Sequence, residues 1–317
     1  MSTKINTTRT AALSDNEKAA LSVGWGGKIP PLVLDIYPSL REGYDTEGFF
    51  QGVLRLQQDL FQDPALVDGK FGRGTWEAVC KKYTPVGSRE NYWLVSGQRV
   101  SIDSDVRFIN CDEKEGLDLH RIGHFSSRGK ITPKILVLHW GGLNPQHCFQ
   151  VFSDPHRKVS SHAGIGKNSE GEVGVYQYLD LSHKAWHGGW INPYSVGIDI
   201  CQQPNTSWES HYLKQGYKVQ VTKNPTQRGD RNILSLDPYI AHATKEAIKT
   251  ICSIYEIPLR CPRGILGQDT QGTIYHGVVD ELFLRNEFSG VIGHHHVSGN
   301  KWDIACWWDA IWEEDWR

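Results

Sequence analysis

Lys134–Gly142, KILVLHWGG, is the stretch from which the fold is read. Four consecutive apolar residues, Ile135 to Leu138, lack the alternation of a half-exposed strand, so both faces of this strand must be covered. Such a run suits a sheet covered on both faces, as in the α/β class. The run ends in His139 and Trp140 and turns on Gly141-Gly142. A histidine where a buried strand opens into a glycine loop is either a satisfied core residue or part of a site.

Downstream, residues 159–189 read as a strand containing His162, a turn near Asn168 to Gly171, and a strand through Val175 and Tyr178. The polar loop SHKAWHGG follows. Residues 195–203, SVGIDICQQ, are another strand, and Asp199 in that apolar setting must be paired or functional. Residues 204–235 are polar and read as a surface insertion. Asp237 as N-cap and Pro238 at the first position open a long helix. Then comes Gly293–Asp303, GHHHVSGNKWD. Neutral imidazoles and a carboxylate are zinc ligands, and a catalytic zinc takes three protein ligands and leaves a fourth position for water. This stretch offers two of the three.

Upstream, Phe49, Phe50, Val53, Leu54, Leu56 and Leu60 recur at helical spacing. In residues 67–83, VDGKFGRGTWEAVCKKY, Asp68-Gly69 makes a turn, and Thr75 is the expected N-cap of a helix carrying Trp76, Val79 and Tyr83. Residues 41–86 resemble the small three-helix peptidoglycan-binding domain attached to cell-wall hydrolases. The matching residues are Leu56-Gln57 and Val67, Asp68, Gly69, Phe71, Gly72 and Thr75. These residues either fix the loop or touch wall polymer. Residues 1–40 read as a polar tail, with a short helix from Ser14 or Asp15 to Leu21. Residues 87–131 read as a linker with a strand-like segment, YWLVSGQRVSI, and with His120 and His124 on the surface.

Net charge is −2, which gives no electrostatic case for nucleic acid or an anionic membrane. The seven cysteines are scattered, odd in number and without a CxxC pair, as expected of reduced thiols in a chain made in a reducing compartment. No apolar run is long enough for a signal peptide or for the ~20 residues of a membrane span.

Residues 132–317 resemble the zinc-dependent N-acetylmuramoyl-L-alanine amidases, a family that also includes peptidoglycan recognition proteins. Five pieces carry the resemblance in order: Val137-Leu138-His139; Ser161-His162; Ala185-Trp186-His187-Gly188; Gly197-Ile198-Asp199; and His294-His295-His296-Val297 with Lys301-Trp302-Asp303. The resemblance implies a mixed central sheet flanked by helices and one Zn2+ held by His139, His294 and Asp303. The choice of His294 rests on its offset from Val297. Asp199 matches the catalytic acid-base position and Lys301 the oxyanion-stabilising lysine. His162, Trp140, Trp186 and His187 are assigned to substrate binding. The sequence departs from the family pattern at Asp199, in the spacer between His294 and Asp303, at Ile304 and at Ser161, and it offers Cys306 as a second candidate ligand because some members use Cys. Asp199 is one methylene shorter than the usual Glu. Ile304 stands where Pro is usual. Ser161 replaces a tyrosine used by some members.

The implied reaction is hydrolysis of the amide between N-acetylmuramic acid and L-alanine of the stem peptide. The alternatives are a non-catalytic peptidoglycan receptor and a zinc endopeptidase of the stem. A wall enzyme made in the cytoplasm without a signal peptide would reach the periplasm or wall after secretion or lysis. It would do so as a phage endolysin, or as an antibacterial effector whose producer needs an immunity protein.

Overall fold

The computed structural model describes residues 12, 15, 16, 29, 31–44, 46–72, 74–76, 78, 79, 91–113, 116–120, 129–226, 229–263 and 275–312. Leu21, Tyr83, His124 and residues 313–317 lie outside them. The chain separates into two compact units, Met1–Arg89 and Glu90–Arg317.

The first unit is organised by helix α1, Glu47–Leu60. Thr46 caps it by accepting from Phe49 N–H at 3.1 Å. The apolar stripe read from the sequence turns inward at Phe49, Phe50, Val53 and Leu56. Gln57, also on that face, is buried and clamps the following loop. Its Oε1 accepts from the Asp68 and Gly69 N–H groups, and its Nε2 donates to Asp68 Oδ1, Lys70 O and Thr75 Oγ1. Gly69 has φ +75° and packs so close to Phe50 that a Cβ would lie 2.1 Å from its ring. Phe71 and Thr75 are buried too. These motif residues therefore build the loop. Thr75 is not the N-cap expected: Gly74, Thr75 and Trp76 are all helical, and the Thr75 hydroxyl donates to Lys70 O.

The second unit opens with a hairpin, β1 (Tyr92–Val95) and β2 (Gln98–Ser101). Ser96 and Gly97, with φ of 53° and 77°, form the tight turn whose twist suits a two-residue hairpin. The main sheet has six strands. They are β3 (Phe108–Ile109), β4 (Ile135–Trp140), β5 (Ala163–Lys167), β6 (Val173–Gln177), β7 (Ser195–Ile200) and β10 (Gly290–Gly293). Their order is β10-β4-β7-β5-β6-β3; only the β5–β6 pair is antiparallel, so the sheet is mixed. A small ribbon, β8 (Val221–Lys223) and β9 (Asn232–Leu234), stands apart from it, within the expected insertion. Residues expected as a linker belong to this unit instead: Trp93, Val106 and Phe108 are in its main core, and β3 pairs with β6.

Helix α2, Pro145–Ser153, follows the Gly-Gly turn. Helix α3, Pro238–Ile254, starts as expected, with Asp237 accepting from Tyr239 N–H at 2.9 Å. Its Ile240, Ala247, Ile248 and Ile251 share one core with Leu136, Leu138, Val196 and Ile198. The opposite face of the same strands, Ile135, Val137 and Ile292, packs with Leu284 of α4 (Glu281–Asn286) and with Val279 and Phe288. Alternate residues of β4 and β7 are thus committed to opposite layers, each buried side chain contributing about 1.5–3 kcal/mol. His139, Gly197 and Asp199 fall on the α4 side by this alternation. Among the described residues, no helix is long and apolar enough to cross a membrane.

Candidate metal centre and active site

Three adjacent parallel strands end together. His139 is in register with Asp199 across β4 and β7, and Gly293 with Leu138 across β10 and β4, so His294 follows just beyond the sheet edge. Crevices outside the carboxyl ends of parallel strands are where open α/β sheets place ligands. Asp303 comes back to the same place from the 3₁₀ turn Asp303–Trp307.

His139, His294 and Asp303 each turn one donor atom to a common point, with those atoms all within 4.8 Å of one another. A tetrahedral ion about 2.1 Å from N and O donors would hold them about 3.4 Å apart. The Nδ1 atoms of His294 and His139 lie 3.0 and 3.7 Å from Asp303 Oδ2, on either side of that separation. Burial alone would raise the Asp303 carboxyl, but the bonds from His139 and His294 outweigh it and hold the group well below the usual carboxylate range. Burial pushes His139 down to about 4. An ionised carboxylate and a neutral imidazole are the forms a metal needs. The His294 side chain keeps 15% of its surface exposed against 6% for the other two, so the cluster opens to solvent on that side. The donor set fits zinc.

Cys306 does not join the cluster. Its Sγ points to the Asp303 carbonyl oxygen, and burial pushes the thiol up to about 12. His295 and His296 are buried; His296 accepts from Gly293 N–H and donates to Tyr275 O. Lys301 is exposed, and its charge is near enough to disfavour a protonated His139.

Asp199 is buried beside the cluster, with its Oδ2 accepting from Ser161 Oγ. Burial raises its carboxyl to about 7, helped by the Asp303 charge and opposed by the Ser161 bond. Gly141 crosses directly over it: a Cβ there would lie 2.8 Å from Asp199 Cβ and 2.6 Å from Cys148 Sγ. Ser161, the position where a tyrosine is lost, therefore has its own partner in the site.

Two residues assigned to substrate binding are elsewhere. His162 is fully buried, accepting from Gly197 N–H at Nδ1 and donating to His183 O from Nε2. His187 is buried against His139. Its Nδ1 is 3.0 Å from His139 Nε2, and its Nε2 is 3.2 Å from Ser195 Oγ. Asn192 Oδ1 fixes the loop by accepting from His187 and Gly188 N–H. Burial lowers the His187 imidazole well below its ordinary range, and the neighbouring His139 and His162 push the same way. Trp140 and Trp186 are half-buried, and Trp140 packs edge-on against Trp302 at 4.5 Å. Ser195, which the sequence reading missed, carried one signal: it lies an even number of residues before Gly197 and Asp199 on one strand.

A second group, Cys111, Asp118 and His120, also has its donor atoms close together. His120 is not a free surface residue: its Nε2 accepts from Asp180 N–H at 3.0 Å. A neutral imidazole that accepts at Nε2 carries its proton on Nδ1 and has no lone pair left for a metal.

No curated relative matches the chain. Among solved structures, the catalytic domain of XlyA is similar at 18% identity over 65% of this chain and 97% of that one, with a TM-score of 0.34. A mutant endolysin from Bacillus subtilis is similar at 19% over 65% and 96%, with a TM-score of 0.34. PlyL is similar at 14% over 63% and 86%, with a TM-score of 0.35. Residues 129–305 match the family model for N-acetylmuramoyl-L-alanine amidase. That match spans more than half of the chain and contains every residue of the strand-end cluster, so the chain belongs to the N-acetylmuramoyl-L-alanine amidase family.

Proposed function

We propose that this peptidoglycan amidase is a zinc enzyme that hydrolyses the amide between the lactyl group of N-acetylmuramic acid and L-alanine of the stem peptide. The carrying observation is the convergence of His139, His294 and Asp303 beside a buried carboxyl whose proton affinity is raised to about 7. Zinc bound by those three residues would supply Lewis-acid polarisation of the carbonyl and a water acidic enough to act near neutral pH. Asp199 takes the proton of the attacking water and passes it to the leaving amine; a group that titrates near the working pH suits both transfers. Its short side chain is met by close packing, with Gly141 above it and Ser161 orienting one oxygen. Lys301 offsets the negative charge that develops on the carbonyl oxygen. Residues 41–86 serve as the wall-binding module, in which Asp68, Gly69, Phe71, Gly72 and Thr75 shape the loop.

The activity suits a phage endolysin or an exported antibacterial effector. An effector would require an immunity protein in the producing cell. The test is digestion of purified sacculi with and without a chelator, followed by mass spectrometry. Intact glycan strands and stem peptides with a free L-alanine amine are expected, and only with metal. Fragments cut within the stem would instead identify an endopeptidase, and binding without release a receptor.

A further inference from the structure

We propose that the β8–β9 ribbon sets the position of Asp303 and Lys301 by gripping the chain on both sides of Asp303, at Trp302 and at Trp307. The inference rests on the reading of Asp303 as a zinc ligand, and it gives the insertion a part in the site. The 3₁₀ turn Asp303–Trp307 has five residues. So short a helical piece is not stable alone, and its neighbours must place its first residue. The ribbon supplies two of them. Just before Asp303, the Trp302 indole lies against Gly229. A Cβ on Gly229 would be 2.4, 2.5 and 2.6 Å from the ring carbons Cε2, Cδ2 and Cε3. Nearly equal distances to three adjoining ring atoms put that point over the flat face, so the glycine backbone covers the indole. At the other end of the turn, Trp307 Nε1 donates to Leu234 O of β9 at 2.8 Å, and both side chains are buried. Ile233 and Leu234 share the main core with Ile304 and Trp307.

The ribbon is itself braced. Asn224 closes its turn: the backbone N–H donates to Arg231 O at 2.9 Å, Nδ2 donates to Asp230 O at 2.8 Å, and Oδ1 accepts from the Thr226 N–H and hydroxyl. Leu234 N–H donates to Pro204 O at 2.7 Å. Gly229 has φ +77°, so its backbone and the Trp302 ring both call for glycine. Trp302 also reaches the rigid half of the site, because it packs edge-on against Trp140, the residue after His139 on β4. Lys301 directly precedes Trp302, so the same grip fixes its backbone. Gly229, Leu234, Trp302 and Trp307 are positioning residues: they act on the site through Asp303 and Lys301.

The test uses the full chain stripped of metal, titrated with zinc ion against a chromophoric chelator. Trp307→Phe keeps the ring and removes only the N–H, and Gly229→Ala drives a methyl into the Trp302 ring. Each is expected to bind zinc about 10- to 100-fold more weakly than the wild type. A ribbon with a purely structural role would lower stability in urea and leave the zinc affinity of the folded protein unchanged, and that result overturns the proposal. Wild type gives a readout that needs no variant. Coupling is reciprocal, so a ribbon that fixes the ligand must in turn be steadied by the metal. Zinc is expected to slow amide hydrogen exchange in β8 and β9 more than in the β1–β2 hairpin. Equal slowing in both, or none in the ribbon, overturns the proposal even if the variants fail to fold. A wild type that takes no zinc at all sinks the metal reading and this proposal with it, whereas a wild type that binds zinc no better than the two variants sinks this proposal alone.

Discussion

Replacing Asp199 with Asn should change how the stability of the zinc-free protein depends on pH, and the size of the change follows from the burial of this carboxyl. Its ordinary value of 3.8 is raised to about 7 in the folded protein. Between those values the unfolded chain has lost the proton and the folded chain keeps it. The native state binds more protons, so stability falls as pH rises through this window. A shift of about 3 units corresponds to about 4 kcal/mol, fully felt above neutral pH. The buried histidines work the other way: His139 and His162 are both lowered by burial to about 4, so their contribution to stability is lost as pH falls. Wild type alone therefore shows a mixture of opposed slopes. The difference between wild type and Asp199→Asn cancels the histidines and isolates the carboxyl. Urea unfolding of both zinc-free proteins at about pH 4 and about pH 8 should show the variant gaining on wild type by about 4 kcal/mol over that interval. The metal is left out because its charge would draw the proton off at lower pH. Parallel profiles, with the difference constant to within about 1 kcal/mol, would refute the raised proton affinity and with it the case for Asp199 as acid and base.

Asp303→Ala removes the one anionic donor of the cluster and should abolish stoichiometric zinc by elemental analysis; full retention would hand its place to another residue. Lys301→Ala should keep zinc and lose about 100- to 1000-fold in kcat, and an unchanged kcat would remove Lys301 from the reaction. Gly197→Ala drives a methyl into the His187 ring, which is buried and cannot swing away. It should cost about 1–3 kcal/mol in urea unfolding and weaken zinc binding, whereas a neutral effect would mean that the ring has room to move.

The central strand was legible because Ile135–Leu138 leaves no polar face, and such a run is stable only between two layers. The start of α3 was legible because Asp237-Pro238 is a local signal whose chemistry is complete within a few residues. His162 and His187 were not. Residue type says that an imidazole can bind, accept or donate, but its direction is set by partners on other elements, Gly197 for the first and Ser195 and His139 for the second. The edge strand β3 was missed for a related reason. Two residues, Phe108 and Ile109, gain their strand character only by pairing with Val175 and Tyr176, more than sixty positions later. Thr75 shows the same limit within one loop. Its sequence position suits a cap, yet Gln57 and Lys70 take its hydroxyl first.

A β-strand repeats every second residue, and β7 uses that repeat to place three different functions on one face: Ser195 to hold an imidazole, Gly197 to leave space for it, and Asp199 to handle a proton. The neighbouring strand places His139 in register with Asp199, so the ligand and the acid-base group are fixed by the same ladder. Because the sheet is packed on both faces, neither strand can slide without turning its buried residues to the wrong layer. Asp303 is different. It arrives on a short 3₁₀ turn after the loop 297–302, and its position depends on the bond to His294 and on the burial of Ile304 and Trp307 behind it. The site thus joins a rigid half, His139 and Asp199, to a half carried by loop residues, His294 and Asp303, and a metal shared across that junction would tie the two together. Removing zinc should therefore loosen residues 294–307 more than β4 and β7. Hydrogen exchange that rises in both halves equally would show that the sheet edge owes its order to the metal as well.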